Sequence, residues 1–183
     1  MESTERHHGN RHGRSEQARK AVLNAADDLL VEKGFAGVTI EGIAARAGVA
    51  KQTIYRWWKS KTDILLDNVT EDAAYYLAPT EDDDIRAYLC NLADFLVNND
   101  AGAVLRALIG QAQHDPNLAT RFRARFLDEQ HTRDRAAIER AQLPGDVDLA
   151  VDQLVGPIYF RVLVTGQPVD AAYVDALLSR FPS

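Results

Sequence analysis

Apolar side chains recur every three or four residues along most of the chain, the spacing that places them on one face of an α-helix. No segment alternates apolar and polar residues in the manner of a half-buried β-strand. The predicted fold class is therefore all-α, without an internal repeat. The pattern predicts helices over residues 15–34, 39–47, 51–58, 61–78, 84–98, 101–114, 117–141, 147–165 and 170–181.

Local signals define the ends of the first three helices. Gly34 suits the C-terminus of the first, and the hydroxyl of Thr39 suits the N-cap of the second. Gly48 ends the second helix and opens a short turn, and Ala50 gives the third helix no capping side chain. Two short helices joined by such a glycine-containing turn match the helix-turn-helix motif.

Charge divides the chain into two unlike parts. The net charge is −6, but residues 1–61 carry eleven Lys and Arg against seven Asp and Glu, whereas the remainder carries ten against twenty. This asymmetry favours a polyanionic partner for the N-terminal part only. We predict a disordered basic arm over 1–14, a helix-turn-helix domain over 15–60 and a larger helical domain over 61–183.

Several function classes find no support in the sequence. No run of eighteen apolar residues and no apolar signal segment occurs, so we expect a cytoplasmic protein without a membrane partner. The single cysteine, Cys90, excludes an internal disulfide. Asp128 and His131 are spaced like metal ligands, but the second such motif of a two-metal bundle is absent. We therefore predict no catalytic residue, no metal and no cofactor.

The third predicted helix has one polar, cationic face. At about 100° per residue, Lys51, Gln52, Tyr55, Arg56 and Lys59 fall within an arc of roughly 140°. Such a face is often only solvated, but this one follows a helix-turn-helix turn, carries aromatic residues and lies in a segment, 42–62, without any acid. A helix of this kind can enter the major groove of double-stranded DNA.

The run ARKAVLNAADDLLVEKGFAGVTIEGIAARAGVAKQTIYRWWKSKTDILL, residues 18–66, resembles the N-terminal domain of the tetracycline repressor (TetR) family. The shared pattern includes Gly34-Phe35, Ala47-Gly48-Val49 and Thr53-Ile54-Tyr55. Gly42 and Trp58 depart from it, since the family usually has an acid and a phenylalanine there. The resemblance implies a homodimeric repressor that binds a double-stranded DNA operator and is released by a small-molecule effector.

The resemblance also implies roles for individual residues. Lys51, Gln52 and Tyr55 would read base edges, and Ile54 and Trp58 would pack inward. The residues that would contact the phosphate backbone are Thr39, Tyr55, Arg56, Trp57 and Lys61. Arg46 would be an additional phosphate ligand, and for Trp57 core packing is an alternative to a DNA contact. The full set of predicted DNA-binding residues is Thr39, Arg46, Lys51, Gln52, Thr53, Tyr55, Arg56, Trp57 and Lys61.

Residues 147–165 are apolar around most of the helix, although Pro157 should kink or interrupt it. So much apolar surface favours burial by a partner, and the family resemblance implies a four-helix dimer interface here; a central core helix is the alternative. The predicted interface residues are Val151, Leu154, Val155, Ile158, Val162, Val174, Leu177 and Leu178.

The helices between residues 61 and 141 could enclose an apolar effector pocket with a few polar groups. Residue type and position select its candidate lining residues, which are Tyr76, Phe95, Gln111, His114, Phe122 and Phe126. Two other functions stay open: a helical interaction protein, and a ligand-binding or catalytic helical protein, neither with operator-specific DNA binding. A gel-retardation experiment distinguishes the DNA-binding repressor from these two alternatives, because only the repressor should retard DNA.

Overall fold

The structure, a computed structural model, describes residues 9–78 and 84–181, with side chains from Arg14 onward. Within these residues every regular element is a helix, which confirms the predicted all-α class. The α-helices are α1 (Gly9–Gly37), α2 (Ile40–Ala47), α3 (Lys51–Tyr55), α4 (Lys61–Tyr76), α5 (Ile85–Asn98), α6 (Ala101–Ala112), α7 (Pro116–Phe122), α8 (Asp128–Ala141), α9 (Val147–Tyr159) and α10 (Ala171–Leu178). Two π-helical turns, Arg123–Leu127 and Phe160–Thr165, follow α7 and α9.

The chain forms two compact units, Met1–Leu65 and Leu66–Ser183, so the division falls within α4. In the first unit α2 packs on α1, and α3 packs on α2. Gly34 breaks α1 near its end with a φ of 66°, a left-handed conformation that suits glycine. The core of this unit contains Val22, Leu23, Ala26, Leu29, Val38, Ile43, Ile54 and Trp58, all buried.

Two boundaries in this unit differ from prediction. Residues 1–8 of the predicted arm lie outside the described residues, and 9–14 belong to α1, because adding residues to an existing helix costs much less than nucleating one. The third helix ends at Tyr55 instead of near Trp58. Beyond it the amides of Trp57 and Trp58 both donate to the carbonyl of Ile54, at 2.9 Å each, and this turn brings Trp58 into the core.

The second unit is built around α5, which packs against α6, α8, α9 and α10. Leu89, Leu92 and Phe95 of α5 are buried at its centre. The predicted helix 117–141 is divided by the first π-helical turn into α7 and α8. None of the helices in the described ranges is long and apolar enough to cross a membrane.

Helix α9 continues through Pro157, so the predicted interruption does not occur there. The amide of Phe160 contacts the carbonyls of Gly156 and Pro157, and the π-helical turn Phe160–Thr165 then continues the helix.

The predicted dimer-interface residues require correction. Val151, Leu154, Val155, Ile158, Val162, Val174 and Leu177 are buried within the single chain, and Leu178 is half-buried. Leu154, Ile158 and Val174 have no exposed surface at all. A side chain that its own chain already covers offers almost no surface to a partner, so the seven buried residues belong to the core of the second unit, and Leu178 stays a predicted interface residue. The alternative of a central core helix is the correct one for this face of α9.

Candidate nucleic-acid interface and cavities

Helix α3 presents to solvent the polar face that its sequence predicts. Lys51, Gln52, Tyr55 and Arg56 are exposed, while Ile54 on the other side is fully buried. Tyr55 exposes 54% of its surface, a large fraction for an aromatic residue without a partner to cover it. Thr53 is half-buried between the two faces. The arrangement leaves two cationic and two neutral hydrogen-bonding side chains available on one short helix.

Lys51 is held by an acid from the neighbouring helix. Its Nζ donates to Oε1 of Glu41 in α2 at 2.9 Å. The hydrogen bond lowers the pKa of Glu41 and raises the pKa of Lys51, so both groups are charged at neutral pH. Both side chains are more than half exposed, and ion pairs of this kind are weak. Lys51 is therefore oriented by Glu41 and is easily released to another acceptor.

Arg46, the predicted additional phosphate ligand, is engaged within the first unit. Its two terminal nitrogens donate to the two carboxylate oxygens of Glu32 at 2.7 and 2.6 Å, and Asp28 lies 3.7 Å away. The bidentate pair raises the pKa of Arg46 and lowers the pKa of Glu32. Arg46 joins α2 to α1 in this way, and its contact with phosphate stays a prediction.

Lys61, at the start of α4, contacts the end of α1. Its Nζ donates to the carbonyl oxygens of Phe35 at 2.6 Å and Val38 at 2.9 Å, and lies 4.0 Å from the centre of the Phe35 ring. Carbonyls at a helix C-terminus lack intrahelical partners and favour a cation. Burial lowers the pKa of Lys61. The Lys61 ammonium therefore stabilises the first unit. Two of its three N–H groups are used in these hydrogen bonds, so the predicted phosphate contact has one N–H available.

The other predicted DNA ligands also have local roles. The hydroxyl of Thr39 caps α2 by accepting a hydrogen bond from the amide of Gly42 at 3.0 Å, as predicted, and Ala50 provides no cap to α3. Trp58 is buried, and half-buried Trp57 meets it edge to face with ring centres 5.4 Å apart. Trp57 thus contributes to packing while part of its ring stays accessible, and its DNA contact stays a prediction.

Glu41 places a negative charge beside the DNA-facing side chains, and its removal tests that placement. We expect Glu41→Gln to raise affinity for scrambled DNA about three- to tenfold at low salt, because one phosphate-repelling charge disappears and Lys51 loses its internal partner. Filter binding across a salt series measures the effect. Glu129→Gln in α8 changes the net charge equally, and an equal gain there would show that only total charge matters.

The six predicted pocket residues range from fully buried to exposed. Phe122 and Phe126 are buried and stack on each other with ring centres 5.6 Å apart, and Phe95 is buried 6.2 Å from the ring of half-exposed Tyr76. Gln111 is half-buried and His114 is exposed. None of the six lines any of three cavities found among the described residues. Their contact with an effector stays a prediction.

The second unit instead contains a buried polar cluster that the sequence analysis missed. The hydroxyl of Tyr88 donates to Oδ1 of Asp134 at 2.6 Å, and Nε2 of Gln130 lies 3.0 Å from both the Tyr88 hydroxyl and Oδ1 of Asp134. Gln130 and Asp134 are only 2% and 4% exposed. The available signal was their spacing, since residues 122, 126, 130, 134 and 138 form one buried stripe with two polar members.

Burial raises the pKa of the groups at both ends of the Tyr88–Asp134 hydrogen bond. Desolvation raises the pKa of the Asp134 carboxyl, which Tyr88 and Gln130 partly offset by donating to it. Desolvation and the nearby carboxylate also raise the pKa of Tyr88 far above its ordinary value, so its phenol stays protonated. A buried carboxyl that lines an open cavity is a common feature of ligand sites.

A groove between α8 and α9 adjoins this cluster. It has a volume of about 420 Å³, and Gln130 and Asp134 form part of its wall together with Leu127, Val151, Val155 and Tyr159. A cavity of about 520 Å³ lies beside Arg106 and residues 162–168, and one of about 220 Å³ lies between α5 and the segment before α10. In the described part of the chain, no three His, Cys, Asp or Glu side chains are grouped to hold a metal ion.

Comparison with known proteins gives consistent matches for both units. A family model described as bacterial regulatory proteins of the tetR family matches residues 22–67, and one described as tetracyclin repressor-like, C-terminal domain, matches residues 80–181. Over 180 residues the chain is 38% identical to the uncharacterized HTH-type transcriptional regulator YdeS of Bacillus subtilis, covering 92% of this chain and 90% of that protein.

Solved structures show the same fold. The crystal structure of the TetR family transcription regulator SCO0332 matches with a TM-score of 0.70 and 33% identity, covering 90% of this chain and 96% of that one. The transcriptional regulator FadR of Bacillus subtilis, crystallised with stearoyl-CoA, matches with a TM-score of 0.69 and 20% identity, covering 87% and 95% of the two chains. At that identity the second match concerns the fold alone.

Proposed function

Because the chain belongs to the TetR family of DNA-binding transcriptional regulators, we propose that it acts as a homodimeric repressor, released from an inverted-repeat operator by a small molecule. The observation that carries the DNA-binding part is the exposed face of α3, where Lys51, Gln52, Tyr55 and Arg56 lie together behind a helix-turn-helix turn. Arg and Lys reach phosphates and guanine edges, and Gln reaches adenine edges.

Our candidate dimer surface is the exposed side of α9 and of the π-helical turn that continues it, opposite the buried side. Leu149, Phe160 and Val164 expose 54%, 57% and 70% of their surface. They are eleven and four residues apart, three turns and one turn of helix, so they lie on one side.

A two-fold dimer dictates the symmetry of its target. Two copies of α3 related by a two-fold axis present the same side chains in opposite strand directions, so the operator should be an inverted repeat. The experiment is to select fragments of genomic DNA with the purified protein and to footprint the bound sequence. If the protein retards none of the fragments at low salt, operator binding is contradicted. If the footprint shows a direct repeat, the two-fold arrangement is contradicted.

Release by an effector is supported by the C-terminal family match and by the cavities in the second unit. FadR of Bacillus subtilis, which has the same fold, was crystallised with stearoyl-CoA. That ligand belongs to FadR. For this chain the proposal is that a small molecule bound in the second unit favours a conformation with weaker operator binding, which requires different affinities for the two conformations.

Lys51→Ala and Gln52→Ala should separate sequence reading from general DNA binding. We expect each to weaken binding to the selected operator roughly 10- to 100-fold, because base-edge hydrogen bonds provide the discrimination between sequences. Binding to scrambled DNA should fall much less. Gel retardation with both DNAs, across a salt series, measures the two affinities.

Arg56→Ala provides the matched comparison, since Arg56 is also exposed, directly follows α3 as its C-cap and is predicted to contact phosphate. Arg56→Ala should weaken binding to the operator and to scrambled DNA by the same factor. It should also reduce the slope of log affinity against log salt concentration by about one per half-site. If Lys51→Ala behaves like Arg56→Ala, Lys51 is a phosphate ligand and does not read bases.

A further inference from the structure

The groove between α8 and α9 has one deep polar group whose second oxygen has no partner. Asp134 is 4% exposed and lines the groove. Its Oδ1 accepts hydrogen bonds from Tyr88 and Gln130. Its Oδ2 accepts none from the described residues. Because Oδ2 is not among the enclosed side-chain atoms that lack a partner, it can be reached from the groove, where a cation would give it a charge-assisted hydrogen bond.

The remaining charges around the groove favour a positive ligand. Asp128 and Asp152 lie in its lining with Asp134, against Arg123 and His131. His131 lies 3.4 Å from Asp148, which lies outside the groove and also pairs with Arg135. Arg133, next to the cluster, donates to the side-chain oxygen of Gln130 at 3.3 Å and lies 3.5 Å from Glu129. Both His131 and Arg133 thus already have acceptors of their own.

The apolar part of the lining sets the shape of the ligand. Leu127, Val151 and Val155 provide aliphatic surface, and half-buried Tyr159 adds an aromatic side chain. Aromatic faces attract organic cations as well as hydrocarbon. A volume of about 420 Å³ lies within the range of small-molecule sites. A ligand that matches these groups has one donor-bearing positive end and a short carbon skeleton.

We propose that this groove binds a small organic amine, with its ammonium on Oδ2 of Asp134 and its carbon chain against Tyr159, Val151 and Val155. The site is separate from the six residues that sequence reasoning assigned to a pocket. The inference rests on the proposed function only in identifying this amine as an effector, since binding itself can be measured without DNA.

The test uses the full-length protein and three probes of similar size: n-butylamine, n-butanol and butyrate. Isothermal titration calorimetry should show saturable binding of n-butylamine, at least tenfold weaker binding of n-butanol, and none of butyrate. Asp134→Asn keeps an oxygen for Tyr88 but replaces the free carboxylate oxygen by an amide, and should reduce n-butylamine affinity at least tenfold. Asp94→Asn, an acid of α5 outside this groove, should leave the affinity unchanged.

A second variant keeps the proposal testable if Asp134→Asn does not fold. Leu127 lines the groove and exposes 42% of its surface, so Leu127→Lys places a competing cation there at little cost to folding. It should also weaken n-butylamine binding several-fold. Failure of n-butylamine to bind, equal binding of n-butanol, or full affinity in Leu127→Lys would each overturn the proposal. None of these results bears on gel retardation by the ligand-free protein, so failure of the amine site is distinguishable from failure of operator binding.

Discussion

Replacing Phe160 with arginine should leave the protein folded and convert the proposed homodimer to a monomer. Phe160 exposes 57% of its surface on the candidate dimer face of α9, so the single chain loses little when it changes. In a two-fold dimer the same face meets its own copy, so each arginine would be brought into an apolar contact near its symmetry mate. Light scattering should give a mass near 20.3 kDa in place of twice that value.

Leu154→Ala is the matched control on the opposite face of the same helix. Leu154 has no exposed surface, so its truncation should cost about 2–5 kcal/mol of unfolding free energy and leave the folded fraction dimeric. Val164→Arg, on the same face as Phe160, should repeat the monomerisation. A dimer that persists in both Phe160→Arg and Val164→Arg would show that another surface forms the interface.

Lys61→Met should destabilise the DNA-binding unit and abolish binding to every DNA sequence at temperatures where that unit unfolds. The methionine keeps the aliphatic stem, but the carbonyls of Phe35 and Val38 lose a charged donor. Hydrogen bonds to charged groups contribute about 1.5–3 kcal/mol each, so a loss of about 2–3 kcal/mol is expected for this partly exposed group. That corresponds to a fall in Tm of roughly 10 °C for a unit of this size.

Tryptophan fluorescence measures this unfolding selectively, because the chain has two tryptophans and both, Trp57 and Trp58, lie in the first unit. Lys59→Met removes an exposed lysine two residues away and should leave the Tm unchanged. If Lys61 acted only on phosphate, Lys61→Met would also keep the wild-type Tm and lose affinity alone. The two roles of Lys61 are thus separated by one thermal scan.

The sequence by itself determined those features that depend on residues close together in the chain. The spacing of apolar residues placed the helices, Thr39 marked the start of α2, and Gly48 marked the turn before α3. The outward and inward sides of α3 followed from a helical wheel, because Ile54 and the polar residues around it differ so strongly in hydrophobicity. Such features are set by local hydrogen bonds and side-chain type, which the sequence states directly.

The tertiary structure alone decided which side of an apolar helix is covered and which polar residues meet. On α9 both sides are apolar, so composition could not tell that Leu154 is buried and Phe160 exposed. Lys61 reaches carbonyls 23 and 26 residues away in sequence, and Tyr88 meets Asp134 across 46 residues. These contacts depend on how whole helices pack, which no periodicity within one helix encodes, and they place a carboxylate in the core beside an open groove.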